Sequence, residues 1–209
     1  MRLTFLAGLL CAGVCIAQPY ELSGVIGYGA YRDVSIVSPG GTATAGIRNR
    51  FVVGGVACED LYEHYSGEIR YTYQDGDPFI SAGGVRGNIQ GQSHSIVYDV
   101  LFQLHDRKQK LRPFLAAGVG AKYYRTSGPE PVPQPLPKIA DIVNTNQWRV
   151  LVSVGFGVKY RLNDHMVVRG DFRDYITPFP VHLFVPAGNG TDHGLFQQFT
   201  PTFGLGYTF

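Results

Sequence analysis

"QQFTPTFGLGYTF" (residues 197–209) closes the chain, and its reading decides the fold. Phe203, Leu205, Tyr207 and Phe209 alternate with Thr202, Gly204, Gly206 and Thr208. A period of two places the four large apolar side chains on one face of a strand and the small or hydroxylated ones on the other. Soluble domains usually end in polar, loosely ordered residues. Here an aromatic ring ends a strand pattern, so the apolar face must meet something apolar.

The same period recurs upstream. Strands are expected at about 20–33, 50–58, 64–75, 92–104, 112–126, 147–161 and 166–177, which with 197–209 makes eight. In "YSGEIRYTYQ" (65–74) Ser66, Glu68, Arg70, Thr72 and Gln74 oppose Tyr65, Gly67, Ile69, Tyr71 and Tyr73. In "HSIVYDVLFQL" (94–104) Ser95, Asp99 and Gln103 oppose a row from His94 to Leu104. In "WRVLVSVGFGVKY" (148–160) Arg149, Ser153 and Lys159 oppose Trp148, four valines, Phe156 and Tyr160. In "VVRGDFRDY" (167–175) Arg169, Asp171 and Arg173 share a face. The second segment, "RFVVGGVAC" (50–58), shows no alternation, and its faces stay unassigned. The links between strands alternate short (59–63, 105–111, 162–165) and long (34–49, 76–91, 127–146, 178–196). That is the pattern of an up-and-down barrel with tight turns at one end.

The other terminus, "MRLTFLAGLLCAGVCIAQ" (1–18), reads as a cleavable signal peptide over 1–17, leaving one domain over 18–209. Removing it takes Arg2 and changes 18 basic against 16 acidic residues to 17 against 16. A near-neutral domain gives no footprint for nucleic acid. Of the three cysteines, Cys11 and Cys15 leave with the signal, so no intramolecular disulfide can form. Composition agrees with strands that have one apolar and one polar face: 27 Gly, 13 Tyr, 13 Phe, 16% charged residues and a mean hydropathy of −0.02.

Alternation does not say which face is inside. A soluble lipocalin-like barrel buries the apolar face, and a transmembrane barrel presents it to lipid. Three features favour the second. The charged set is mixed in sign, with Glu21, Glu68, Asp99 and Asp171 against Arg70, Lys122, Arg149, Lys159, Arg169 and Arg173. Such charges can pair across a narrow lumen. Aromatic residues (Tyr65, Tyr73, Tyr123, Trp148, Tyr160, Tyr207, Phe209) fall near the ends of the apolar rows, where interfacial girdles belong. The third feature is the terminal row itself. The reading is therefore all-β, an eight-stranded antiparallel up-and-down transmembrane barrel preceded by a signal peptide.

With the signal peptide, the eight alternating strands, "RPFLAAGVGAKYY" (112–124), "VVRGDFRDY" and the terminal "FGLGYTF", the chain resembles the small bacterial outer-membrane barrels, in particular the OmpA-like transmembrane domain. The row Phe203, Leu205, Tyr207, Phe209 resembles the C-terminal sorting signal of that family. The resemblance implies an outer-membrane location, lipid and lipopolysaccharide around the barrel, and recognition of the last strand by the barrel assembly machinery. The peptidoglycan-binding domain that follows many such barrels is not matched here.

Eight strands leave an interior just wide enough for side chains to fill. A plugged lumen is expected, with no large conductance and a structural or surface-interaction role. The alternative is a lipid A-modifying barrel enzyme, an acyl hydrolase or acyltransferase. A hydrolase would need a serine activated by a histidine. The one pair two apart on a strand is His64 and Ser66, next to a short link. No metal-ligand spacing occurs among the six histidines and Cys58, Asp75 and Asp77 flank a turn glycine, and no cofactor is expected. In the link 127–146, Pro129, Pro131, Pro133, Pro135 and Pro137 alternate, which favours an extended arm and makes this link the candidate for a surface partner. The apolar run 181–185 reads as a strand end, a cover over the mouth or an adhesive patch. Deleting Phe209 is expected to lower outer-membrane insertion sharply while export continues, as read from the amount of heat-modifiable protein in membrane fractions.

Overall fold

The computed structural model describes residues 20–192 and 194–209. The proposed signal peptide lies outside them. Fifteen strands are numbered in chain order. Eight close a barrel: β1 (Tyr20–Tyr31), β4 (Arg50–Asp60), β5 (Tyr65–Asp75), β8 (Gln90–Gln103), β9 (Leu111–Ser127), β11 (Asn146–Arg161), β12 (Met166–Pro178) and β15 (Leu195–Thr208). Each pairs antiparallel with its neighbour, and β15 closes on β1 through partners such as Leu22 with Tyr207 and Ile26 with Phe203. The Phe209 amide extends the seam by donating to Tyr20 O at 2.9 Å.

All eight strands fall within a few residues of the expected ranges. The short connections are 61–64, 104–110 and 162–165, and both described ends of the barrel sheet lie with them. β4 also resolves. Val52, Val56, Cys58 and Asp60 point in, and Phe51, Val53 and Ala57 point out. Its inward face is mostly apolar, which is why the sequence showed no contrast between its sides.

The long connections are not free loops. β2 (Val34–Ser38), β3 (Gly41–Ile47), β6 (Pro78–Ala82), β7 (Val85–Asn88) and β14 (Thr191–Asp192) make a second sheet in the order β14-β2-β3-β6-β7. β10 (Ala140–Ile142) pairs with β13 (Phe184–Pro186). Together they fold over the barrel mouth. Ile36, Ala45, Ile47, Ile80, Ile89, Ala140, Ile142, Phe179, Leu183 and Phe184 form one buried cluster, which continues into the barrel through Tyr31, Tyr124 and Phe196. The run 181–185 is therefore a cover over the mouth.

The Pro-rich segment departs from the extended arm expected of it. Asn144 N donates to Glu130 Oε1 at 2.7 Å and Asn144 Nδ2 to Gly128 O at 2.8 Å. Gln134 Nε2 donates to Ile142 O at 3.0 Å. Only its tip projects, with Val132 91% exposed. The alternating prolines stiffen the segment, but the apolar residues after them, Ile139 to Ile142, gain more by burial in the cap. Because the cap has its own core, Phe184→Ala, at a fully buried site, is expected to destabilise it by about 3–5 kcal/mol. Faster amide exchange in 140–142 and 184–186, with the heat-modifiable barrel unchanged, is the measurement that checks this.

Candidate functional site

The inward faces of five strands converge on one layer of charge. β5 supplies Glu68 and Arg70, β8 Asp99, β12 Arg169, Asp171 and Arg173, β11 Lys159, and β1 Glu21. Each is no more than 7% exposed. Glu68 is the hub. Its Oε1 accepts from Arg70 Nη2 at 2.9 Å and Arg173 Nη2 at 3.3 Å, and its Oε2 from Arg169 Nη2 at 2.7 Å. Asp171 joins the same arginines, with Arg70 Nη2 at 2.7 Å, Arg169 Nε at 3.1 Å and Arg173 Nη1 at 3.6 Å. Asp99 takes Arg173 Nε at 3.4 Å. Glu21 takes Lys159 Nζ at 2.6 Å and Arg169 Nη1 at 3.4 Å. Four cations thus face four carboxylates. Balance matters here because an ion removed from water is costly unless a partner replaces its hydration.

Local sequence makes the space. Gly155 lies across from Arg173 and Gly204 across from Arg169. A Cβ at Gly155 would sit 2.8 Å from Arg173 Cδ, and one at Gly204 2.9 Å from Arg169 Cγ. Small residues at these positions let long side chains lie along the wall. Phe114, which the sequence did not single out, fills the remaining space, with the Arg173 and Arg169 guanidinium carbons 5.5 and 5.8 Å from its ring centre.

Two expected members stand apart. Lys122 is fully buried without a carboxylate. It donates to Gln198 Oε1, and its Nζ lies 4.6 Å from the Tyr31 ring centre and 5.2 Å from that of Tyr124. Arg149 is half-buried and makes no ion pair among the described residues. Its strand partner is Lys122, and it stands six residues above Gly155, about 20 Å up the strand. Both are therefore corrections to the single network read from the sequence. A shared face fixes direction, and height along the strand decides who meets.

His64 and Ser66 are not hydrogen-bonded to each other. Ser66 Oγ donates to Asp60 Oδ1 at 2.6 Å, while the His64 ring bonds Gln103 O at 3.1 Å and lies 3.5 Å from Asp106. Asp75 and Asp77 both pair with Arg50, at 3.3 and 3.0 Å, and brace the rim of β4 and β5.

Outside, the terminal row is exposed as its alternation implied, Phe203, Leu205, Tyr207 and Phe209 alike. So are Leu22, Ile26, Phe51, Ile69, Ile96, Val119, Val150 and Phe156, in an apolar band around the barrel. Aromatic residues border it. Tyr73, His94, Tyr123 and Trp148 are successive strand partners at the loop end, with ring centres 5.2, 6.2 and 4.8 Å apart. Tyr65 with Phe102, and Tyr207 with Phe209, mark the turn end. An apolar belt of this extent is stable against hydrocarbon and a liability in water.

A closed eight-stranded barrel with an apolar outside and an ion-paired inside has the fold of the small bacterial outer-membrane barrels. No family model matches the chain, and no curated protein matches it. Solved structures do. The outer membrane protein OprG from Pseudomonas aeruginosa superposes with a TM-score of 0.59 at 13% identity, covering 92% of this chain and 96% of that one. Neisserial surface protein A (NspA) gives 0.54 at 12% identity, covering 91% and 97%. The outer membrane protease OmpT from Escherichia coli gives 0.48 at 10% identity over 92% and 97%, too remote to bear on activity.

Glu68→Gln keeps shape and removes one of four buried anions. The barrel is expected to lose about 3–5 kcal/mol, measured by denaturant unfolding in micelles. Adding Arg173→Met restores the balance, so the double variant should be less destabilised than the two single losses summed.

Proposed function

We propose that the chain is a non-catalytic outer-membrane barrel with a plugged lumen, serving a structural or surface-interaction role through its capped end. The filled cross-section carries this reading. At the level of Glu68 the lumen is occupied by side chains locked to one another by charge, and above it the apolar cap takes the mouth. A water path would have to part both. In this reading the 61–64, 104–110 and 162–165 turns and the 20 and 209 ends lie in the periplasm, since an even number of strands returns the chain to the side it left. The exterior meets lipid and lipopolysaccharide. Phe203, Leu205, Tyr207 and Phe209 act as the signal that the assembly machinery reads, and the exposed tip of the 127–146 link, rather than the whole segment, is the part offered to a surface partner.

Cysteines at two exposed positions test orientation: Ser127→Cys at the loop end and Lys108→Cys in a short turn, each with Cys58→Ser. On intact cells an impermeant thiol reagent should label the first and not the second. The reverse pattern would invert the barrel. Purified protein in planar bilayers should show no porin-sized channels.

A further inference from the structure

On the outside of the barrel, in its turn-end half, a groove of about 170 Å³ runs along β4 between β1 and β5. Its sides are apolar. Leu22, Ala57 and Ile69 are successive strand partners, so one methyl group stands between two half-exposed large side chains. Two residues further up, Gly24, Gly55 and Tyr71 repeat the arrangement, and a Cβ at Gly24 would meet nothing within 4 Å. The depression therefore continues up the wall. From Glu59 to Gly55 it follows about 13 Å of β4, at about 3.3 Å per residue.

The lower end of the groove is polar. Glu59 stands there, with Tyr20 and Gly67 as its strand partners. Tyr20 Oη donates to Glu59 Oε1 at 3.2 Å, and the carboxylate makes no ion pair among the described residues. No lysine or arginine lines the groove. Glu21, the other carboxylate on its lining, points through the wall into the lumen and is taken by Lys159 and Arg169. Tyr98 leans over Gly67, where an added Cβ would lie 2.7 Å from Tyr98 Oη. That hydroxyl has no hydrogen-bond partner among the described residues. A carboxylate without a cation and a phenol without an acceptor thus head an apolar groove at the edge of hydrocarbon, where each is costly unless a partner arrives.

We propose that this groove holds one phospholipid with a primary ammonium headgroup, of the phosphatidylethanolamine class. Charge complementarity selects it. The ammonium pairs with Glu59 and donates hydrogen bonds to it, whereas a choline headgroup has no N–H to donate and a glycerol headgroup has no positive charge. Tyr98 Oη donates to a phosphate or ester oxygen of the same lipid. One acyl chain lies along Leu22, Ala57 and Ile69. That the groove meets the periplasmic leaflet rests on the orientation above; the binding itself does not.

The test is a titration of the full barrel, refolded in an uncharged detergent, with phosphatidylethanolamine, phosphatidylcholine and phosphatidylglycerol of the same acyl chains, each added separately. Native mass spectrometry counts the bound lipids. One saturable phosphatidylethanolamine is expected, held about fivefold more tightly than either other lipid, the scale of one half-exposed ion pair. Glu59→Gln should lower its affinity to that of phosphatidylcholine and leave phosphatidylcholine unchanged. Ala57→Leu, an apolar exchange on the lipid face, fills the floor and should weaken all three lipids with Glu59 in place, so it carries the test if the Glu59 variant does not fold. Glu63→Gln in the adjoining turn should change nothing. Equal affinity for the three lipids, a preference for phosphatidylglycerol, a phosphatidylethanolamine preference that survives Glu59→Gln, or binding unmoved by Ala57→Leu would overturn the proposal. A micelle has no inner and outer side, so failure here and an inverted labelling pattern are separate results.

Discussion

Glu68 holds three arginines at once, and the rest of the interior follows from that arrangement. Arg70, Arg169 and Arg173 come from two strands on different parts of the wall. None could stay buried alone, because the desolvation of a guanidinium exceeds what a single neutral neighbour returns. Asp171 repeats the contact with the same three residues, and Asp99 and Glu21 take the two outer ends. The set closes at zero net charge. It ties together strands far apart in sequence.

The two ends of the lumen are finished differently. At the loop end the chain spends four long connections on a cap with its own apolar core, and that core reaches down to Tyr31, Tyr124 and Phe196 inside the barrel. Lys122 sits at this boundary. It is close to aromatic faces and an amide rather than a carboxylate, so it belongs to the cap's chemistry more than to the charged layer. At the turn end the connections are too short to fold over anything, and the mouth stays open, lined by charges of both signs. Loop length therefore decides which end is sealed: 14 or more residues can carry paired strands and apolar side chains, whereas four to seven cannot.

Most of the architecture was legible in the sequence. Period-two alternation is a local property, set by the pleat of each strand, and it marked the outward rows of the barrel strands wherever the two faces differ in polarity. Where both faces carry similar residues, as in β4 with Val52 and Val56 inside and Val53 and Ala57 outside, the pattern has nothing to report. The 127–146 link was misread for a related reason. Alternating prolines describe local stiffness, while the burial of Ala140 and Ile142 depends on Phe184 and Leu183, more than forty residues away.

The sequence by itself determined that the chain crosses between an apolar outside and a charged inside, and which charges point inward. Parity put Glu68, Arg70, Asp99, Lys159, Arg169, Asp171 and Arg173 on the polar faces of their strands, and the mixed signs, the aromatic row ends and the terminal row turned those faces inward. Only the tertiary structure decided which of them meet. Strand register and tilt set the height of each residue in the lumen, and heights are fixed by pairing between strands, not within them. That is why Glu68 became the hub, and why Lys122 and Arg149 were left above the layer.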